Sequence, residues 1–366
     1  MNTAQSCETG HGLNENAPSS FPPPVLPRPV DERYGRNVVR LAPPGHRPGL
    51  RFEGVRVDSA PPLAQGVRLL KRRLENLGLE GEPAEDRRAR ILVRRVDPGT
   101  LRKSFEEDGL RPPADEEKLA QSYVLRVRPK DGACIEGTAD IGLYYAILSL
   151  IQLLTNSPER GPIAPETHIR DYPSAPRRLA KTSGTYNDPE LVDRFAEWIT
   201  VYKIRMLGIQ FHGEDSRRPD GTFRTNVQQI CSRYASERTL ETIVYFCPFR
   251  GEGAYDFRRP EEREAYIEFL HWILTQGADG IEIDYNDWPG EREVGIDTVI
   301  NFVCTSLRGT DPTPHILWCP PNQGNVRYFG EASAEMTRIL AEVPDRVRPL
   351  WTGPRVLIPP EGLEAE

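Results

Sequence analysis

From Arg178 onward the chain alternates between two apolar rhythms. Short runs of mixed or period-two hydrophobicity at 179–185, 205–211, 242–249, 280–287, 315–321 and 348–354 predict strands. Between them, 189–202, 225–238, 260–276, 293–307 and 331–342 carry apolar residues at helical spacing. Strictly alternating strands and helices predict a parallel sheet, and the close, even spacing favours a βα barrel over an open sheet.

The preceding segment, 31–156, has a different pattern. Leu63, Val67, Leu70, Leu74 and Leu77 fall on one face of a predicted helix. Arg90–Val96, Ser122–Val127 and Ala133–Gly137 read as strands, the last two joined by the turn Lys130-Asp131-Gly132. A second helix is predicted over Thr138–Leu154. Together these give a small sheet covered by two helices. The charged stretch 97–120 is expected as an exposed insertion, and the Pro-rich 157–176 as a linker. The expected organisation is a disordered Pro-rich tail (1–30), a small α+β sandwich domain (31–156), the linker, and a βα (TIM-type) barrel from 177 to 366.

One stretch, "GIEIDYNDW" (280–288), departs from an ordinary buried strand. Ile281, Ile283 and Tyr285 make one apolar face, while Glu282, Asp284 and Asn286 occupy the other and Asp287 follows. In a barrel one strand face packs on helices and the other points inward, with chemistry at the C-terminal strand ends. Glu282 and Asp284 are therefore expected to point inward, with Asn286 and Asp287 at the mouth. Gln210, His212 and Glu214 repeat the arrangement on the second strand. Pairing of Glu282 or Asp284 with an inward cation such as Lys181 is an equal alternative to catalysis. Asp287 also fits a helix N-cap, Asn286 a turn, and His212 a structural role; Trp318 and Trp351 fit barrel packing better than sugar stacking.

Composition narrows the partners. Hydrophobic content of 38 % with 28 % charged residues describes a globular chain. The longest apolar segment, Ile141–Leu154, falls short of the ~20 residues of a membrane span and carries Gln152. A net charge of −7 gives no reason to expect nucleic acid. Only six of the 47 basic residues are Lys, a bias that fits genome composition better than an arginine-based surface. The six cysteines show no CxxC spacing, so no zinc site is expected, nor any other metal or cofactor. With no leader pattern in residues 1–30, a cytoplasmic location is expected.

Residues 179–354 resemble glycoside hydrolase family 84, the barrel of the O-GlcNAcases and related bacterial β-N-acetylglucosaminidases. The resemblance rests on "SGTY" (183–186), "GADGIEIDYNDW" (277–288), "ILWCPPNQGN" (316–325) and "PLWTGPRVL" (349–357), in the family's order. The segment "GLYYAILSLIQLL" (142–154) is similar to the last helix of the small domain that precedes hexosaminidase barrels. The resemblance implies substrate-assisted hydrolysis, in which the substrate's acetamido oxygen attacks the anomeric carbon to form an oxazoline. One carboxylate holds the acetamido N–H, and a second acts as acid and base. The family's Asp-Asp pair falls on Asn286 and Asp287, which implies Asp287 as acid/base and Asn286 in the orienting position. An amide accepts the N–H bond without supplying charge, and charge-assisted bonds are roughly twice as strong. His212, Glu214, Asp215 and Asp284 are expected to line the pocket. Gly184 and Tyr186 enter through the resemblance alone, and Gln323 stands where the family has Tyr. The second strand's family Lys has no counterpart in His212-Gly213-Glu214-Asp215.

Three readings follow: a divergent β-N-acetylglucosaminidase, a carbohydrate-binding pseudoenzyme, and a glycosidase for a sugar without an acetamido group. The expected partner is an N-acetylglucosamine-containing glycan or glycoconjugate; nucleic acid and membrane are not expected, and the oligomeric state is open. Six predicted strands, with only Arg355–Glu366 beyond them, imply an incomplete barrel, since a closed one has eight strands and needs about 250 residues.

Overall fold

The structure, a computed structural model, describes residues 29–44, 46–57, 61–79, 90–107, 109–157, 161–182, 189–211, 240–246, 255–284, 296–319, 341 and 347–349. The expected tail lies outside them up to residue 28. Two compact units divide the chain at Tyr172, the first also drawing on residues 1–56 and the second on 57–66.

The first unit is built on a mixed seven-stranded sheet. Its strands are β1 (Asp31–Arg40), β2 (Gly49–Glu53), β3 (Arg90–Arg95), β4 (Tyr123–Arg128), β5 (Gly132–Gly137), β6 (Thr155–Ser157) and β7 (Gly161–Asp171). Their order is β1-β7-β4-β5-β3-β2, with β6 also on β7. The pairs β2/β3 and β3/β5 are parallel, and the others antiparallel. Helix α1 (Pro61–Asn76) buries the expected Leu63, Val67, Leu70 and Leu74, while Leu77 lies just past its end and is half-buried. Helix α4 (Asp140–Leu153) packs on β4 and β5 and is buried nearly all round, which explains a run of apolar residues without helical periodicity.

Two expectations need correction here. The stretch 97–120 is no exposed insertion: it forms α2 (Pro98–Glu106) and α3 (Glu116–Ala120), and Leu101, Phe105 and Leu119 bury against Val124 of β4. Asp97 and Asp115 cap the two helices, accepting backbone N–H bonds from Thr100 (2.9 Å) and Glu117 (2.7 Å). Likewise the segment expected as a linker holds β7, which pairs with β1, β4 and β6. Proline argues against a central strand because it lacks a ladder donor. Pro165 escapes that penalty on one side, because it falls between the end of the β6 register at Ile163 and the start of the β4 register at Thr167.

Charge in this unit is placed with compensation. Glu136 on β5, 4 % exposed, takes ion pairs from Arg94 on β3 and Arg126 on β4. Burial works against its charge, but the Arg94 hydrogen bond and the two guanidinium charges hold the carboxyl below its ordinary pKa. The fully buried Arg170 pairs with Asp31 at 2.6 Å and donates to the Ser104 carbonyl.

Among its described residues the second unit contains six strands: β8 (Leu179–Thr182), β9 (Met206–Phe211), β10 (Glu241–Phe246), β11 (Gly280–Asp284), β12 (His315–Cys319) and β13 (Val347–Pro349). All pair in parallel, in chain order from β8 to β13. The described helices between them are α5 (Pro189–Val201), α6 (Pro260–Thr275) and α7 (Ile296–Ser306). The predicted helices 225–238 and 331–342 fall outside the described residues, except Ala341.

Which face the helices take decides the architecture. Val192, Ala196 and Ile199 of α5, Phe269, Leu270 and Ile273 of α6, and Val299, Ile300 and Val303 of α7 share one core with Ile209, Val244, Ile281, Ile283, Ile316 and Trp318. All three helices thus pack on the same side of the sheet. A doubly wound sheet would place helices on both sides. Sequential parallel order with one helical layer is the barrel pattern, here as a six-stranded sheet. Trp318, fully buried in that layer, is a packing residue as expected.

Candidate active site

The opposite, inner face changes character along the strands. Near the N-terminal strand ends, Glu241 of β10 pairs with Arg205 at 2.5 Å and with His315 Nε2 at 3.2 Å. Above it lies an apolar layer of Leu179, Met206, Ile243 and Leu317. Towards the C-terminal ends the face becomes polar: Lys181 on β8, Tyr245 on β10, Glu282 and Asp284 on β11, and Cys319 on β12.

Strand geometry sets these positions. With a side-chain period of two, Glu282 and Asp284 must share a face once Ile281 and Ile283 enter the helix-side core. Register then places Tyr245 beside Glu282, and Cys319 beside Asp284. Both carboxylates therefore sit on the inner face, as the alternation in "GIEID" implies.

Lys181 reaches Glu282 across two intervening strands. It passes over β9 at Gly208, where an added Cβ would lie 2.9 Å from Lys181 Cγ. Over β10 its Nζ stands 4.7 Å from the centre of the Tyr245 ring, a cation–π contact. It ends in an ion pair with Glu282 Oε1. Of the two readings of Glu282, catalytic carboxylate or partner of Lys181, the second is the one observed.

The pair is electrostatically tense. The Glu282 side chain is fully buried, and loss of water pushes its pKa up to about 7, with Lys181 opposing the rise and Asp284 adding to it. Burial also works against the Lys181 charge, but the facing groups, Glu282 foremost with Cys319 and Asp284, together raise its pKa. The Cys319 thiol is raised by burial and by the Asp284 charge, and the Tyr245 phenol by burial and by Glu282. Glu282 Oε2 is buried with no hydrogen-bond partner among the described residues.

The other sequence-predicted site residues, Asp287, Asn286, Glu214, Asp215, His212, Gly184, Tyr186 and Gln323, lie outside the described residues. Sequence reasoning did not group Cys319 with the acids. The signal was its place two residues after Leu317 on the inner face of β12, which becomes informative only once β11 and β12 are in register.

Comparison with known proteins fits this geometry. A family model described as glycosyl hydrolase family 20, domain 2, matches residues 47–172, which include β2 to β7. No curated protein matches the chain. Among solved structures, CpGH84B is similar with a TM-score of 0.60 at 15 % identity, over 91 % of this chain and 57 % of that one. The β-N-acetylhexosaminidase of Bacteroides fragilis gives a TM-score of 0.59 at 15 % identity, over 90 % of this chain and 69 % of that one. The family 20 exo-β-N-acetylglucosaminidase of Vibrio harveyi, solved with N-acetylglucosamine, gives 0.58 at 13 %, over 89 % and 57 %. At such identities the likeness is one of fold. It extends to both family 84 and family 20 structures, so it supports the hexosaminidase fold without singling out family 84. The chain spans a little over half the length of CpGH84B.

Proposed function

We propose that the chain is a glycoside hydrolase of the β-N-acetylhexosaminidase type, acting on a β-linked N-acetylglucosamine-containing glycan. The observation that carries this reading is β11, which presents two carboxylates on the inner face of a singly wound parallel sheet and is followed in sequence, after Tyr285, by Asn286 and Asp287. The match of residues 47–172 to a domain of family 20 glycosyl hydrolases, and the fold likeness to CpGH84B, to a β-N-acetylhexosaminidase and to a family 20 exo-β-N-acetylglucosaminidase, point the same way. Following the sequence resemblance, the acetamido oxygen displaces the leaving group while Asp287 donates a proton to the glycosidic oxygen. Water then opens the oxazoline as Asp287 takes a proton back. Asn286 accepts the acetamido N–H as a neutral partner, which lowers the rate relative to a carboxylate. Glu214, Asp215, His212, Gly184, Tyr186 and Gln323 line the pocket in this reading, with Asp284 at its floor.

Asn286, neutral where the resemblance has a carboxylate, with the missing Lys and Gln323 in place of Tyr, favours a second reading: a carbohydrate-binding protein that keeps the pocket without turnover. Aryl β-N-acetylglucosaminide hydrolysis separates the two. Measurable turnover that disappears in Asp287→Asn supports the hydrolase. Saturable binding of N-acetylglucosamine by calorimetry, with no turnover, supports the binding protein. Equal turnover in Asp287→Asn removes Asp287 from the mechanism, and turnover restricted to glycosides without the acetamido group replaces the substrate class.

A further inference from the structure

Three potential ligand atoms meet where β11 and β12 end. One carboxylate oxygen from each of Glu282 and Asp284, together with Cys319 Sγ, lie within 4.8 Å of one another. Acidic clusters of this kind are ordinary on their own. What distinguishes this one is the state of Glu282: its Oε1 accepts from Lys181, and its Oε2 is buried with no hydrogen-bond partner among the described residues. A buried carboxylate oxygen left unpaired is strongly disfavoured. A cation between Glu282, Asp284 and Cys319 would satisfy it.

The surroundings suit such an ion. Lys181 would act as the outer donor that fixes the orientation of a ligating carboxylate. Two carboxylates and a thiolate balance a divalent cation plus the Lys181 ammonium, so the loaded cluster is neutral. A mixed sulfur and oxygen donor set fits zinc and its neighbours, whereas magnesium and calcium take oxygen ligands.

We propose that Glu282, Asp284 and Cys319 form a three-ligand site for a thiolate-tolerant divalent cation of the zinc class, positioned by Lys181. Binding forms a sulfur–metal bond and breaks the Cys319 S–H, whose proton passes to solvent; no electron is transferred. Three protein ligands leave a fourth tetrahedral position open. In such a site neighbouring donors stand about 3.5 Å apart. Closing to that distance calls for a shift of about 1 Å, which the half-buried Asp284 has most room to make. The proposal rests on these described side chains and is independent of the sugar reading.

The test uses the full chain, stripped with chelator and titrated with zinc and, separately, with cobalt(II). Uptake of one equivalent, with the near-ultraviolet thiolate-to-cobalt charge-transfer band, is the expected result. Proton release on zinc binding, read by calorimetry in buffers of different ionisation heat, should accompany it. Cys319→Ser should remove the charge-transfer band, Glu282→Gln should abolish stoichiometric uptake, and Cys134→Ser should leave both intact. Absence of uptake by the folded wild-type chain, or a charge-transfer band that survives in Cys319→Ser, overturns the proposal. Because the wild-type cobalt spectrum already reports a thiolate ligand, misfolding of a variant does not remove the test.

Discussion

Lys181 and Glu282, on the first and fourth strands of the parallel sheet, are joined by an ion pair that spans the inner face. Among the described residues the two strands it crosses contribute no charged partner to it, so Glu282 ties Lys181 on β8 to β11. Removing one member of such a pair strands the other. Lys181→Met is expected to lower stability by about 3 kcal/mol, the low end for a broken buried pair because Lys181 is partly exposed. Replacing both residues, as in Lys181→Met with Glu282→Leu, should recover most of the loss. Urea midpoints of the metal-free variants measure both. A double variant no more stable than the single one would mean that the uncompensated charge is not the source of the loss.

Gly208 is the crossing point for that long side chain. A Cβ there would also stand 3.3 Å from Leu179 Cδ1 and 3.4 Å from Lys181 Cα, so the obstruction is not confined to a flexible tip. Gly208→Val is expected to displace Lys181 and to destabilise by about 1–3 kcal/mol through overpacking. Combined with Lys181→Met, the loss should be smaller than the sum of the single losses, since both remove the same pair. Strict additivity would separate Gly208 from the ion pair.

The α2 helix offers a check on the first unit. Phe105 is fully buried against Leu101, Leu119 and Val124, and its ring lies 5.8 Å from that of Tyr172. Phe105→Ala should cost about 3–5 kcal/mol, whereas truncating a side chain in an exposed insertion would cost almost nothing. A thermal melt that does not move would return 97–120 to the surface.

How much of this was legible in the sequence depends on how local each signal was. The helix through Leu63, Val67, Leu70 and Leu74 and the six-strand rhythm were visible because each declares itself within a dozen residues. The inward direction of Glu282 and Asp284 was visible for the same reason, and Lys181, at an inward position of the first predicted strand, could be named as a partner. By contrast α2 and α3 present few apolar residues among many charges, so their Asp97 and Asp115 caps had to carry a signal that resembles loop chemistry. Strand β7 was hidden by its prolines, of which Pro165 is tolerated in the gap between the β6 and β4 registers. Cys319 joins the acids through a pairing 35 residues distant from Asp284, and no local pattern encodes that register.

Among the depressed carboxyls, the two that are partly buried, Glu136 and Glu241, give the protein a defined acid response. Glu136 is held low by Arg94 and Arg126 against its own burial, and Glu241 by the His315 hydrogen bond and the Arg205 charge, again against burial. In the unfolded chain both revert to an ordinary Glu pKa of about 4.3. A carboxyl whose folded pKa is depressed contributes stability above the unfolded value and loses it as pH falls through the folded one. Stability should therefore be flat with respect to these groups above about pH 5 and decline below about pH 4. Glu136→Gln should lower stability at pH 7 and flatten part of the acid decline, because the amide leaves the two arginines without the Glu136 counter-charge and has no proton to gain. Glu241→Gln should do the same for the second unit, with His315 losing its partner. Unfolding midpoints between pH 3 and pH 8 for the wild type and both variants read this directly. An acid decline of unchanged steepness in both variants would place the responsible carboxyls elsewhere.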